Sequence, residues 1–170
     1  MSNDLVPAGT RVLILMGSDS DWTLMKEAHE LLKKFDIGVH SEIASAHRTP
    51  EKTQALASTA RANGIRVIIA GAGAAAHLPG VIAAFTDLPV IGVPIAATPL
   101  AGTDALYAIV QMPKGIPVAT VAINGAANAA ILALQIIAMD SGKEGDHARE
   151  KLVKYRQEMK SAALAKKLTL

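Results

Sequence analysis

A chain of 170 residues, 51% hydrophobic but with only five Phe, Trp and Tyr residues, suits one domain whose core is packed from Ala, Val, Ile and Leu rather than from rings. Seventeen basic residues against fifteen acidic leave a net charge of +2, and the only basic cluster lies at the C-terminus, so nothing in the balance implies nucleic acid. Cysteine is absent, which removes disulfide frameworks, thiolate nucleophiles and Cys-ligated metal sites and is compatible with a cytoplasmic home.

Met1–Thr10 carries no basic region followed by an apolar stretch, so no secretion signal is expected. Arg11–Met16 is the first strand-like run and closes on Gly17-Ser18. Residues Asp21 to Phe35 then place Leu24, Met25, Ala28, Leu31 and Leu32 on one helical face. Gly38–Ala44 reads as a second strand ending at Ser45, and Pro50 stands where a helix can start. Arg66–Ala70 is the third strand, followed by the glycine-rich Gly71-Ala72-Gly73; Pro89–Val93 and Ile116–Ile123 supply a fourth and a fifth. Apolar strands alternating with helices predict an α/β fold with a parallel sheet covered on both faces. Gly125–Met139 is apolar almost all round, yet as a helix it would span only about 22 Å, short of a ~30 Å hydrocarbon core. A small monomer could hardly cover such a helix, which predicts a subunit interface rather than a membrane span. Lys143–Lys167 reads as an amphipathic C-terminal extension with Leu152, Tyr155, Met159, Ala162 and Ala163 as its stripe and its charges on a solvated face.

Parallel sheets bind ligands beyond the carboxyl ends of their strands, near the point where strand order reverses. Three polar or glycine-rich segments follow predicted strands there: 17–21, 45–50 and 71–80. In the first, Ser18, Asp19, Ser20 and Asp21 suit helix capping or anion binding at free backbone N–H groups, and Asp19 with Asp21 suits Mg²⁺ ligation. The second sets an imidazole, a guanidinium and two hydroxyls on consecutive positions. Arg48 suits a bidentate phosphate contact and His47 suits proton transfer near neutral pH, against the plainer alternative of a satisfied histidine and a surface arginine. The third allows close backbone approach to a ligand or simple tight packing on the sheet. As a dinucleotide fingerprint it is weak: Ala76 stands where the third glycine or alanine belongs, but the next strand offers no acidic ribose ligand.

Beyond these local readings, GSDSDW, SAHRTP, GAGAAAHLPG, the IGVP at Ile91–Pro94 and LYAIVQMPKGIPVATVAI at Leu106–Ile123 resemble, in order and spacing, the carboxyaminoimidazole ribonucleotide mutase family over roughly residues 11–140. The resemblance implies a flavodoxin-like three-layer α/β/α sandwich in a single domain, assembly as an octamer, and no cofactor or metal. It also implies migration of a carboxyl group from the exocyclic nitrogen of a ribonucleotide to its imidazole ring carbon, in de novo purine biosynthesis. Arg48 and Thr49 favour the mutase branch, since animal-type carboxylases differ after the motif histidine. Carried over, the resemblance assigns Ser18, Ser20, Asp21 and Arg48 to the ribose phosphate. It assigns Ser45, Ala46 and a catalytic His47 to the reacting end, and Gly73, Ala75, His77 and Leu78 to the imidazole and its carboxylate. Three departures stand out. Ala74 replaces a usual glycine, Ala97 and Ala105 replace frequent serines, and the link from Ile123 to Asn128 is about two residues short, so that the following helix is expected to start differently.

Overall fold

The alternation of apolar runs and helical stretches folds as β1 (Val12–Met16), α1 (Trp22–Lys34), β2 (Val39–Ile43), α2 (Pro50–Thr59), β3 (Val67–Gly73), α3 (Leu78–Phe85), β4 (Val90–Ile95), α4 (Thr103–Val110), β5 (Ala119–Thr120), α5 (Ala126–Ile137) and α6 (Lys143–Leu164). The structure is a computed structural model that describes residues 6–167. The reading of Met1–Thr10 as lacking a leader falls in part on residues 1–5, outside the described residues.

All five strands pair in parallel, in the order β2-β1-β3-β4-β5. This is the flavodoxin-like order, whose switch point lies between β1 and β3. Successive side chains of a strand face opposite sides, and the two cores divide accordingly. Val12, Ile14, Met16, Val67 and Ile69 pack beneath α1 and α5, while Leu13, Leu15, Ile68, Ala70 and Ala72 pack beneath the helices of the opposite face. The resulting three layers are those the sequence predicts.

Two strands differ from expectation. β3 continues through Gly71-Ala72-Gly73, which the sequence suggests is loop, and Gly71 pairs with both Met16 and Val93. A Cβ at Gly71 would stand 2.4 Å from Met25 Sδ of α1, so this glycine serves helix-to-sheet packing. β5 shrinks from the expected Ile116–Ile123 to two residues, because Pro117 cannot donate to a ladder and the strand lies at an edge. Irregular bonds from Val121 N to Gly92 O (3.1 Å) and from Asn124 N to Pro94 O (2.8 Å) carry the chain onward. The short link then turns at Asn124, whose φ of 58° asparagine tolerates, and α5 begins at Ala126.

The apolar α5 is covered largely by its own chain. Ala126, Ala129, Ala130, Ala133, Leu134 and Ile137 are buried in the core shared with α1 and the sheet. Its alanines permit close approach, and burial of Leu134 or Ile137 contributes roughly 1.5–3 kcal/mol each. The opposite side is not fully covered by this chain: Ala127, Ile131, Leu132 and Ile136 stay partly exposed, which leaves room for the subunit contact expected from the pattern. The C-terminal stripe is only half used. Leu152 and Tyr155 pack on the core, with Tyr155 edge-on to Phe35 at 5.4 Å, whereas Met159, Ala162 and Ala163 stay exposed. His147 Nε2–H donates to Phe35 O at 2.9 Å and Lys151 pairs with Asp36, tying α6 to the end of α1.

Candidate active site

The three segments converge at the switch point. After β1, Ser18 caps a short 3₁₀ turn, Asp19–Asp21: its Oγ accepts from Ser20 N at 3.4 Å, and Asp21 Oδ2 accepts from Ser18 N at 3.2 Å. The capping reading is thus realised. Three residues per turn bring Ser18 and Asp21 to one side and leave Ser20 elsewhere. Asp19 accepts from the Ser18 hydroxyl at 2.9 Å and from Ser20 N at 3.0 Å. These bonds, led by the hydroxyl, hold its carboxyl below the ordinary range. Burial pushes the half-buried Asp21 the other way, upward, against the N–H bonds and the Arg48 charge that favour its ionised form.

After β2, Ser45 is buried while His47 and Arg48 are exposed on the turn. Arg48 N and Nε donate to Ser45 Oγ at 3.2 and 3.5 Å, and Arg48 Nη2 reaches across to Gly17 O at 2.6 Å. The guanidinium therefore links the second segment to the first. After β3, the chain passes through Ala74 at φ 51° before His77 leads into α3. His77 Nδ1 lies 2.8 Å from His47 Nε2, with the rings nearly perpendicular at 88°. Thirty positions separate these histidines, and sequence spacing gives no sign that they pair.

These elements enclose a cleft of about 390 Å³ lined by Gly17, Ser18, Asp21, Ser45, Ala46, His47, Arg48, the run from Ala72 to Leu78, and Ala97. Of the residues expected from sequence, Ser18, Asp21, Ser45, Ala46, His47, Arg48, Gly73, Ala75, His77 and Leu78 all line it. Ser20 does not; it is exposed on another side of the 3₁₀ turn, its N–H already taken. One lining position comes from a segment sequence reasoning did not select. Ala97 follows β4, where the same strand-end rule would have found it. A Cβ on Gly73 would stand 2.6 Å from Ala97 Cβ and 3.2 Å from Ile95 O, so glycine is required at that wall. Ala105, in contrast, is fully buried away from the cleft. Among the described residues no group of three or more His, Cys, Asp or Glu side chains is placed to hold a metal ion.

Ala74 stands in the left-handed region that glycine occupies freely. That conformation costs an alanine roughly 1–2 kcal/mol, and glycine returns about 0.4–1 kcal/mol of that through its looser unfolded chain. Ala74→Gly is therefore expected to stabilise the fold by up to about 1.6 kcal/mol, at about 2–4 °C of melting temperature per kcal/mol. Calorimetry of the two proteins checks this, and a lower melting temperature for the glycine variant would show that Ala74 makes compensating contacts.

The AIR carboxylase family model matches residues 11–162. The N5-carboxyaminoimidazole ribonucleotide mutase of Pyrococcus abyssi is 56% identical over 150 residues, covering 88% of this chain and 84% of that protein. That of Saccharolobus solfataricus is 50% identical over 158 residues, covering 93% and 98%. Among solved structures, Treponema denticola PurE aligns with a TM-score of 0.77 at 29% identity, covering 93% of this chain and 99% of that one.

Proposed function

The chain belongs to the AIR carboxylase family, and on that premise we propose that it is an isomerase of purine biosynthesis that performs the N5-carboxyaminoimidazole ribonucleotide mutase reaction. The observation that carries the reading from family to site is a single cleft with two chemically distinct sets of lining groups. One set is a hydroxyl, a carboxylate and a guanidinium (Ser18, Asp21, Arg48), drawn together by the Arg48–Gly17 bond, and the other is the His47–His77 pair with the small apolar run from Ala72 to Ala76.

In this reading Arg48 and the Ser18–Asp21 turn hold the ribose phosphate, and Gly73, Ala75, His77 and Leu78 face the imidazole and its carboxylate. Ser20 is left to the outer edge of the phosphate end. His47 shares Nε2 with His77, so Nδ1 is the nitrogen free to meet substrate. The N–CO₂ bond of the carbamate breaks, His47 Nδ1 gives its proton to the departing nitrogen, and CO₂ is released into the cleft. The electron-rich ring carbon attacks that CO₂, and the ring carbon's proton returns to His47 Nδ1, restoring aromaticity. One proton leaves the imidazole and one comes back, so no net charge or redox change remains. Throughout, His47 Nε2–H donates to His77 Nδ1, a bond that strengthens when His47 is cationic. Trapping CO₂ against the ring replaces a bimolecular encounter with an internal one, and the alanines from Ala72 to Ala76 help exclude water.

The reading includes a homo-oligomer, an octamer by family resemblance, working in the cytoplasm. Large apolar side chains left in water on the single chain support assembly: Met139 is 85% exposed, Leu164 76% and Leu100 63%. Among the described residues no helix is long and apolar enough to cross a membrane. Light scattering at micromolar concentration is expected to give a mass several times the 17.7 kDa of one chain. A single-chain mass would remove the assembly from the reading.

The functional test is direct. Purified protein is expected to convert the carbamate to the carboxylated imidazole, followed by absorbance, at a rate that does not depend on added bicarbonate. A rate that requires bicarbonate and starts from aminoimidazole ribonucleotide would make the protein a carboxylase. No turnover by folded protein would leave a nucleotide-binding module.

A further inference from the structure

The hydroxyl of Thr49 is not used where a helix start would ordinarily use it. Thr49 is the N-cap of α2, a position whose side-chain oxygen commonly accepts a backbone N–H from the first turn, yet no such bond forms. Its Oγ1 instead turns back, accepting from Ser45 N at 2.9 Å and donating to Ser45 O at 3.2 Å. Thr49 N donates to the same carbonyl at 3.0 Å. Both backbone polar groups of the buried Ser45 are thus closed by one residue four positions on.

The bracing extends in both directions. Ser45 Oγ, held in place by that closure, accepts from Arg48 N and Nε. On the other side, the fully buried Thr53 donates its hydroxyl to Thr49 O at 3.2 Å, which anchors the turn to α2. His47 lies inside the braced turn, and its bond to His77 depends on where the turn sets it. Thr49 does not line the main cleft but borders an adjoining cavity that shares Gly17, Ser18, Ser45 and Arg48 with it.

We infer that Thr49 is a positioning residue: its hydroxyl closes the 45–49 turn and so sets the placement of His47 and Arg48 for reaction. The inference rests on the carboxyl transfer proposed for this site. A backbone bond that most helix starts would make has been given up for one that serves the turn bearing the reacting group, which is the arrangement expected where placement matters more than cap stability.

The test compares steady-state kinetics of wild type, Thr49→Val and Thr49→Ser with the carbamate, well below all three melting temperatures. Valine keeps the branched shape without the hydroxyl, and serine keeps the hydroxyl without the methyl. A misplacement of about 1 Å can cost on the order of 100-fold, so kcat/KM of Thr49→Val is expected to fall by about 10–100-fold, mostly in kcat, with Thr49→Ser within about threefold of wild type. A purely structural role would lower the melting temperature and leave kcat of the folded enzyme unchanged. Thr49→Ala, which removes the hydroxyl without setting a methyl group against Ser45 N–H, is measured alongside and must show the same loss, so that poor folding of the valine variant does not obscure the result. Wild-type kcat/KM in the hydroxyl-free variants, or equal losses in the valine and serine variants, would overturn the assignment. An inactive wild type would instead bring down the functional reading, and this assignment with it.

Discussion

Replacing His47 with asparagine is expected to lower turnover by about 10²–10⁴-fold, the usual contribution of a positioned acid–base group, while fold and nucleotide binding stay close to normal. Asparagine is polar, and the position is exposed at the mouth of the cleft, so no core packing is lost. The 2.8 Å bond to His77 sharpens the comparison. His77→Asn leaves His47 in place and replaces its ring partner with a shorter amide, so its loss of turnover should be smaller than that of His47→Asn. A fully active His47→Asn beside a dead His77→Asn would exchange the two roles and leave the family assignment standing.

Arg48→Ala is expected to weaken nucleotide binding by about tenfold or more, since a charge-assisted contact contributes roughly 1.5–3 kcal/mol. The structure adds a reason to expect some loss of kcat as well. Arg48 Nη2 bonds Gly17 O at 2.6 Å, so its removal unlinks the turn after β1 from the turn after β2. Arg48→Lys restores a charge but not the planar fork, and its affinity should fall between those of wild type and alanine. Titration calorimetry with aminoimidazole ribonucleotide separates binding from chemistry. An Arg48→Ala variant with unchanged affinity would place the phosphate elsewhere.

Much of this site was legible before the fold was known, because its parts follow strands, and a parallel sheet brings strand ends to one edge. Gly17–Asp21, Ser45–Pro50 and the glycine-rich segment each follow a strand, and they meet at the switch point. What stayed hidden depends on three-dimensional neighbours. Gly71 reads as loop until Met25 is seen to pack over it, since periodicity cannot tell a strand glycine from a loop glycine. The apolar character of α5 signals burial but not by what: α1, the sheet and α6 cover one side, while Ile131, Leu132 and Ile136 stay partly exposed. Proline inside Ile116–Ile123 was a local warning that the fifth strand would be short. Motif position alone groups Ser20 with Ser18 and Asp21, whereas the 3₁₀ turn leaves it off the cleft lining. The pairing of His47 with His77, and of Thr49 with Ser45 in place of its own helix, follow from contacts no single sequence displays.

In the proposed reaction the carboxyl group leaves nitrogen and reaches carbon without escaping the cleft. Carbamate carrying an isotopic label in its carboxyl carbon, incubated with the protein in unlabelled bicarbonate and analysed by mass spectrometry, tests this most directly. The carboxylated imidazole is expected to retain the label. Product carrying carbon from the surrounding bicarbonate would contradict it.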